Sequence, residues 1–420
     1  MHTTLRDITS ASGIWSGSRR DTHAFLLSPD VYAISRGQKD ELERLGFALF
    51  DCLRGLSHIA AISHGHSNSF GPAWAVARRV LTTGIPTVYQ ELQGIRPEDI
   101  PRLLKLDLMV DREGRFRIAE IDGHNKHGLG YSTLGKRFRE AVRPDAKALP
   151  GAVKVLADEI RRQGFGRLKV FYADQERFYR PEFEILEQEL GAQGIECDLF
   201  SEEVATDGLL SSGLFLDLPF LYGRPELYGT IVPAYKAGAA KFVIPPKPCF
   251  GAKGVLALLR NDVQDPQTEA ILQAFIKASS LKTVRGFIPE TILVGKRAAS
   301  SEEVKRRTAA KRYVLKESIS SGMHGTVFSG GEDFDAMLLR AGAANMNWIL
   351  QEEVDNQPQT FSWFEGNGAE GPQLRTADGW FMRVTVHYVN HALADVIVTA
   401  RRDKAVHGAK DCLQLGTVIA

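Results

Sequence analysis

Two strand-like segments on either side of a polar turn constrain most strongly how this chain folds. Residues 106–110 and 115–122 alternate apolar and polar side chains, and residues 111–114 between them are typical of a turn. The pattern predicts an antiparallel β-hairpin. Because alternate residues of a strand point to the same side, the hairpin also indicates which of its side chains share a face.

One face of this hairpin is expected to carry three carboxylates. A two-residue turn at residues 113–114 places Asp107 opposite Glu120, and a turn one residue earlier places Asp107 opposite Ile118. Either register puts Asp107 on the face of Glu120 and Asp122, whereas a three-residue loop with a bulge would break this inference. The second strand is expected to group the following residues on that face: Phe116, Ile118, Glu120 and Asp122.

Three carboxylates on one face repel one another unless a cation compensates them, and carboxylate oxygens are the ligands that Mg²⁺ prefers. The sequence therefore predicts a metal site at Asp107, Glu120 and Asp122. A solvated hairpin face is the alternative. The polar, glycine-rich loop 123–130 follows directly and favours the metal site, while its two histidines make a weaker case for zinc.

Composition and charge limit the classes of function. A chain of 420 residues is expected to form two or three packed modules, and 44% hydrophobic with 25% charged residues is typical of a soluble globular protein. Lysine plus arginine (52) nearly equals aspartate plus glutamate (51), so no basic field attracts nucleic acid or an acidic membrane. Small molecules are the expected partners.

The cysteines and the apolar runs indicate a cytoplasmic location. Four cysteines are scattered without a C-x-x-C pair, which favours reduced thiols over disulfides or a metal site. The N-terminus has no apolar signal region, and no run approaches the roughly 20 apolar residues of a membrane span. The sequence predicts nothing about the oligomeric state.

The order of predicted elements indicates an α+β chain with four parts. Residues 1–100 are mainly helical, and residues 101–150 contain the hairpin. Residues 151–240 alternate helix and strand, which predicts a small parallel-sheet α/β domain. Residues 241–420 end in strands joined by glycine-rich turns.

A lysine followed by a glycine-containing loop suits phosphate binding. Lys316 ends a predicted strand, and the loop after it contains Gly322 and Gly325 before the chain returns as a strand. Backbone N–H groups and one ammonium group could approach phosphate oxygens closely there. The loop is neither a Walker loop nor a Rossmann fingerprint, and an ordinary hairpin loop is the alternative.

An apolar strand that ends in polar residues suits a nucleotide base and ribose. A base needs an apolar slot with backbone hydrogen bonds, and a ribose needs a carboxylate acceptor. A strand that simply leaves the core is the alternative. The candidate nucleotide contacts are Gln351, Glu352, Glu353 and Val354.

Arg383 lies in a strongly apolar strand, where an unpaired cation would be costly, so it needs an anion. A buried carboxylate and a phosphate both satisfy this requirement, and bidentate guanidinium geometry suits the phosphate. No Ser-His-Asp order, Cys-His arrangement or Gly-x-Ser-x-Gly elbow is evident, which disfavours nucleophilic hydrolysis.

Taken in order, these features resemble the ATP-grasp superfamily, in particular its branch arranged like glutathionylspermidine synthetase and the circularly permuted ATP-grasp proteins. The first hundred residues match nothing in it, and Asp122 stands where the family usually has asparagine. The resembling segments are residues 106–108 and 120–122, Lys253 in 252–259, residues 288–291, Lys316 in 313–316, Gly322, Gly325, residues 350–354 and residues 408–411.

The resemblance implies an ATP-grasp fold with an inserted small parallel-sheet domain. It also implies an ADP-forming carboxylate–amine ligase that uses ATP and Mg²⁺ and forms an amide through an acyl phosphate. Two Mg²⁺ ions would then be held by Asp107, Glu120 and Asp122. Lys253 and Lys316 would hold phosphate oxygens, and Arg383 would stabilise the transferring phosphoryl group. A small-molecule kinase on the same fold and a nucleotide-binding scaffold without turnover are the alternatives.

Overall fold

Strands from both ends and from the middle of the chain assemble into sheets. The computed structural model describes residues 1–14, 25–65, 72–294, 301–320, 325–366, 371–408 and 411–420. The strands are β1 Tyr32–Ile34, β2 Leu103–Val110, β3 Phe116–Asp122, β4 Arg167–Tyr172, β5 Glu196–Ser201, β6 Gly213–Phe215, β7 Ala240–Phe242, β8 Thr291–Val294, β9 Tyr313–Glu317, β10 Thr326–Phe328, β11 Trp348–Glu352, β12 Gln359–Glu365, β13 Gln373–Val389, β14 Ala392–Arg401 and β15 Leu413–Ile419.

Helices occupy most of the N-terminal part and the crossover connections. The α-helices are α1 His2–Ser12, α2 Arg36–Gly65, α3 Pro72–Thr82, α4 Thr87–Gly94, α5 Leu129–Val142, α6 Ala152–Arg162, α7 Arg180–Ala192, α8 Asp207–Leu210, α9 Tyr228–Ala237, α10 Gly254–Arg260, α11 Pro266–Phe275, α12 Ala278–Phe287, α13 Ser301–Ala310 and α14 Phe334–Ala343. The mainly helical character expected of residues 1–100 is therefore present in the described residues.

The largest sheet joins the hairpin to the C-terminal strands. Its order is β1-β15-β14-β13-β2-β3, with β12 also paired to β13. Only the β1–β15 pair among these is parallel. The hairpin strand β2 runs beside β13, which places Asp107 directly opposite Thr385 and Met109 opposite Arg383. Residues nearly 280 positions apart in the chain thus share one surface.

Two smaller sheets complete the architecture. The order β5-β4-β6-β7 is wholly parallel, as the alternation of helix and strand predicts. Helices α6 and α7 cover it with apolar residues such as Leu156 and Leu186, which belong to one buried cluster with Leu168. The order β10-β9-β11-β8 is antiparallel and carries the predicted strands of Lys316 and Gln351.

The hairpin has a different turn from either of the two expected. Val110 pairs with Phe116, and the backbone N–H of Asp111 donates to the carbonyl of Arg115. Residues 112–114 therefore form a three-residue loop. A β-bulge between Asp107 and Leu108, at which Ala119 is the extra residue of β3, then shifts the register by one residue and places Asp107 opposite Glu120. Of the two expected pairings, Asp107 with Glu120 is the one observed. A three-residue loop with a bulge was expected to break the shared face of the carboxylates, but the bulge restores this register and the face is kept.

The bulge also corrects the expected composition of the hairpin faces. Phe116 and Ile118 are buried in the main apolar cluster, whereas Glu120 and Asp122 line a cavity on the other side of the sheet. Two residues of β3 occupy the space of one at a bulge, so the side-chain alternation reverses there. The expectation that all four share a face is wrong for the two apolar residues.

Helix α2 is the core helix of the N-terminal part. By length and composition alone, the stretch Arg36–His64 could cross a membrane, but 67% of its most apolar window is buried inside the protein. Its apolar side chains, including Leu42, Leu49 and Leu56, belong to the main buried cluster. That cluster draws residues from all four parts assigned by sequence, and their boundaries stay a prediction.

Candidate active site

A cavity of about 820 Å³ opens between the largest sheet and the antiparallel four-stranded sheet. Asp107 and Arg383 of the largest sheet line it on one side, and Lys316 and Gln351 of the smaller sheet line it on the other. Residues expected from sequence therefore meet in one space although distant segments supply them. Those lining the cavity are Asp107, Glu120, Asp122, Lys253, Lys316, Gln351, Glu352, Glu353, Val354 and Arg383.

Two expected glycines do not contribute to the described lining. Gly322 lies outside the described residues, and Gly325 is not among the residues that line the cavity. Gly325 has φ +66°, and a Cβ there would come within 2.8 Å of the Cβ of Glu317. The position requires glycine for the return of the chain into β10, which is a structural reason independent of any ligand.

Asp107 is held on two sides. Its Oδ1 accepts a hydrogen bond from the Thr385 hydroxyl at 2.6 Å, and its Oδ2 lies 3.5 Å from the guanidinium of Arg383. Burial alone would raise the pKa of Asp107, but Arg383, Lys105 and Thr385 outweigh it and lower the pKa. Asp107 is therefore ionised, and Arg383 has a carboxylate partner, one of the two anions that the sequence left open.

The other two carboxylates also face cations. Glu120 lies 3.1 Å from the Lys253 ammonium, which also donates a hydrogen bond to the carbonyl of Ser320 at 2.8 Å. Asp122 lies 2.9 Å from Lys105, a residue that the sequence analysis did not single out. Burial works against the charged form of Lys105, but the carboxylates, Asp122 first, raise its pKa.

Lys316 connects the two sides of the cavity. Its ammonium group donates to the side-chain oxygen of Gln351 at 2.6 Å and to the carbonyl of Ala119 in the bulge at 3.1 Å. Gln351 in turn donates to the carbonyl of Ile118 at 3.2 Å. Burial lowers the pKa of Lys316 to about 8. Gln351 is thus engaged with the hairpin and with Lys316.

The polar end of β11 is surrounded by cations. The side chain of Glu353 is 8% exposed and lies 3.1 Å from both Arg312 and Lys404. Glu352 pairs with Lys311 at 3.0 Å. The carboxylates expected to accept a ribose are therefore ion-paired in this arrangement, and Lys404 on the β14–β15 loop reaches the β9–β11 sheet across the cavity.

The local charge suits a polyanion. Four cations line this part of the cavity against three carboxylates, which leaves one positive charge in excess: Lys105, Lys253, Lys316 and Arg383 against Asp107, Glu120 and Asp122. No group of three His, Cys, Asp or Glu side chains in the described part of the chain is close enough to hold a metal ion as arranged. The carboxylate oxygens nevertheless fit a hard divalent cation chemically, and Asp107 and Glu120 face each other across the hairpin.

One part of the cavity lining, the aromatic end, is rich in tyrosine. Tyrosines 89, 131, 179 and 222 line it together with the loop that follows Asp122. In that loop, burial lowers the pKa of His124 to about 4, so its imidazole is neutral at physiological pH. These tyrosines are scattered over four distant segments, so nothing in the sequence groups them.

The fold has counterparts among solved structures. No protein-family model matches the chain, and no curated protein matches it either. A glutathione synthetase-like effector from Globodera pallida, solved in its apo form, superposes with a TM-score of 0.57 at 12% identity, over 99% of this chain and 95% of that one. The two proteins share a fold.

A second match is weaker. A protein from Methylobacillus flagellatus, provisionally named a gamma-glutamylcysteine synthetase, aligns over 80% of this chain and 85% of its own at 12% identity. Its TM-score of 0.38 carries no weight here. The first match supports a mixed helix-and-sheet architecture of the glutathione synthetase-like kind.

A buried ionic cluster fixes the loop that leads from the hairpin to the aromatic end. Lys126 is 1% exposed and donates to both carboxylate oxygens of Glu176 at 2.9 Å and to Asp217 at 3.1 Å. His127 contacts Glu176 at 3.0 Å. Burial raises the pKa of Asp217, and Lys126 opposes that rise. The cluster ties the hairpin lobe to the parallel-sheet domain.

Proposed function

We propose that this protein is an ATP-grasp enzyme, an ADP-forming ligase that joins a small carboxylic acid to an amine. The observation that carries the proposal is the single cavity in which Lys253, Lys316 and Arg383 meet the hairpin carboxylates and the polar end of β11. A cationic pocket beside carboxylates suits a nucleoside triphosphate with a divalent cation. The glutathione synthetase-like fold of the first structural match supports it.

The cations and the carboxylates of the cavity have different proposed roles. Lys253 and Lys316 exchange their present oxygen partners for phosphate oxygens, and Arg383 faces the transferring phosphoryl group. Asp107 and Glu120 would hold Mg²⁺, which when bound neutralises charge on the phosphates. The acid attacks the γ-phosphorus and releases ADP, and the amine then attacks the acyl carbon and expels phosphate.

Water must be kept from the acyl phosphate, since hydrolysis would waste it. The loop between β14 and β15 covers one side of the cavity, where Lys404 pairs with Glu353. The neutral, aromatic end beside His124 has room for the acceptor. We place the enzyme in the cytoplasm with small molecules, and no nucleic acid or membrane, as its partners.

The test is ADP release from ATP and Mg²⁺ with pooled carboxylic acids, amino acids and amines, with mass spectrometry of the products. ADP together with a condensation product is expected. A phosphorylated product without condensation would instead identify a small-molecule kinase on this fold. Nucleotide binding without ADP release from any pool would favour a non-catalytic scaffold.

Replacing Lys316 with methionine should weaken nucleotide binding about 10-fold. The ammonium group is directed into the cavity and holds two neutral oxygens, Gln351 Oε1 and Ala119 O, that a phosphate would replace. Calorimetric titration with a non-hydrolysable ATP analogue measures the effect. The matched control is Lys305→Met, an exposed lysine on α13. Equal affinity in wild type and Lys316→Met would remove Lys316 from the site.

The same lysine predicts a pH dependence. Because burial lowers the pKa of Lys316 to about 8, its charge is lost between pH 7 and 9. The protonated form attracts the anion, so affinity for the analogue should fall about fivefold over that interval. Titrations at pH 7, 8 and 9 measure the change. Lys316→Met should abolish the part of the pH dependence that this residue causes.

A further inference from the structure

The donors around Asp122 differ from those around the other two hairpin carboxylates. Asp122 Oδ1 accepts the backbone N–H of Asn125 at 3.1 Å, with that of His124 at 3.4 Å, which closes the turn after β3. Its Oδ2 lies 2.9 Å from the Lys105 ammonium. Both oxygens are therefore engaged by groups of the chain itself.

Asp107 and Glu120 each keep an oxygen that accepts no hydrogen bond within the described residues. Glu120 contacts Lys253 through Oε1, and this side chain is 33% exposed. Asp107 contacts Thr385 through Oδ1, and its Oδ2 lies 3.5 Å from Arg383. These two carboxylates pair across the hairpin at the bulge. Glu120 thus keeps one oxygen, Oε2, without a contact to a described residue, and Asp107 Oδ2 has only the 3.5 Å contact with Arg383, which is longer than the 2.9 Å contact between Asp122 and Lys105.

The position of Lys105 is set by the pairing of β2 with β3. It lies on β2 directly opposite Asp122 on β3, and both side chains are largely shielded from solvent. Its ammonium group is fixed beside a carboxylate that could otherwise have attracted a cation. A divalent ion at Asp122 would have to displace this ammonium group or approach it closely against like-charge repulsion.

We propose that Lys105 takes the place of a second metal ion, so that the site holds one divalent cation, between Asp107 and Glu120, for each bound nucleotide. Asp122 is then the fixed counterion of Lys105 and a structural cap of the loop that follows. The inference rests on the proposed function, since it presumes a nucleotide in this cavity. It explains how the chain tolerates aspartate at 122 without a surplus of negative charge.

The experiment counts Mn²⁺ bound per nucleotide-bound chain, by electron paramagnetic resonance of free Mn²⁺ with a saturating non-hydrolysable ATP analogue. Wild type should bind one Mn²⁺. Lys105→Met removes the charge and frees Asp122, so it should bind two. The exposed-lysine variant Lys282→Met is the control and should keep one.

The variant Asp122→Asn tests the proposal independently if Lys105→Met does not fold. It should still bind one Mn²⁺, because Asp122 is not a ligand in this proposal. Two Mn²⁺ in wild type, or a loss of Mn²⁺ in Asp122→Asn, would overturn the inference while leaving the proposed function intact. If the analogue bound neither wild type nor any folded variant, both this inference and the proposed function would be overturned.

Discussion

Lys126→Met is expected to lower the free energy of unfolding by about 3–5 kcal/mol. The substitution removes the ammonium group that Glu176 and Asp217 share in a fully enclosed position and leaves two carboxylates facing each other. A buried charge without its partner is far costlier than an exposed ion pair is valuable. Urea unfolding followed by circular dichroism measures the loss.

The pH dependence of this loss identifies its cause. In Lys126→Met a buried carboxylate can lower its cost by taking up a proton, and burial already raises the pKa of Asp217 in wild type. Without Lys126 the pKa of Asp217 should rise beyond its wild-type value of about 7, so above pH 7 the folded variant keeps a proton that folded wild type loses. Its deficit should therefore be smaller at pH 7 than at pH 9. A deficit equal at both pH values would point to lost packing against Phe183 instead.

Lys282→Met is the matched control for charge and side-chain length. Lys282 is exposed on α12, so its replacement should change stability by no more than about 0.5 kcal/mol. A similar loss in both variants would contradict the assigned role of Lys126. Because Lys126 joins the hairpin loop to Glu176 and Asp217 of the parallel-sheet domain, its removal should also loosen the aromatic end of the cavity.

The sequence predicted local patterns better than the contacts that close the site. The hairpin, the parallel-sheet segment and the strands of Lys316, Gln351 and Arg383 follow from periodicity, which is a local property. Lys105 could also have been found, because it shares the face of Asp107 by simple alternation along β2. Its partner is less obvious, since Asp122 lies across the hairpin and beyond the bulge.

Other features depend on tertiary structure. The bulge at residues 119–120 cannot be read from a two-residue alternation, yet it reverses the faces of β3 and moves Glu120 into the cavity. The ionic cluster of Lys126 joins residues 50 and 91 positions away in sequence. Such pairs form because folding buries them together, and no local pattern signals them.

Glu120→Gln is expected to reduce turnover in the ADP-release assay by at least about 100-fold, which corresponds to about 2.7 kcal/mol of transition-state stabilisation. The change is isosteric, but it removes the negative charge that faces Asp107 across the hairpin and leaves a weaker oxygen donor for a divalent cation. The Mg²⁺ concentration that gives half-maximal activity should rise as well.

Folding should be nearly unaffected, because Glu120 is one-third exposed and its pair with Lys253 is partly solvated. Lys253 also keeps its hydrogen bond to the Ser320 carbonyl. The matched control is Glu113→Gln, an exposed glutamate in the turn of the same hairpin, which should keep wild-type turnover and Mg²⁺ dependence.

Comparison of Glu120→Gln with Glu113→Gln shows whether Glu120 is a metal ligand or a carboxylate that only compensates a nearby charge. If Glu120 only compensated the charge of Lys253, its loss would alter nucleotide affinity and leave the Mg²⁺ dependence unchanged. If Glu120 holds the divalent cation, Mg²⁺ dependence shifts while binding of the nucleotide without metal is preserved or strengthened, since a negative charge is removed beside the phosphates. Wild-type turnover in a folded Glu120→Gln would reject the hairpin as the metal site.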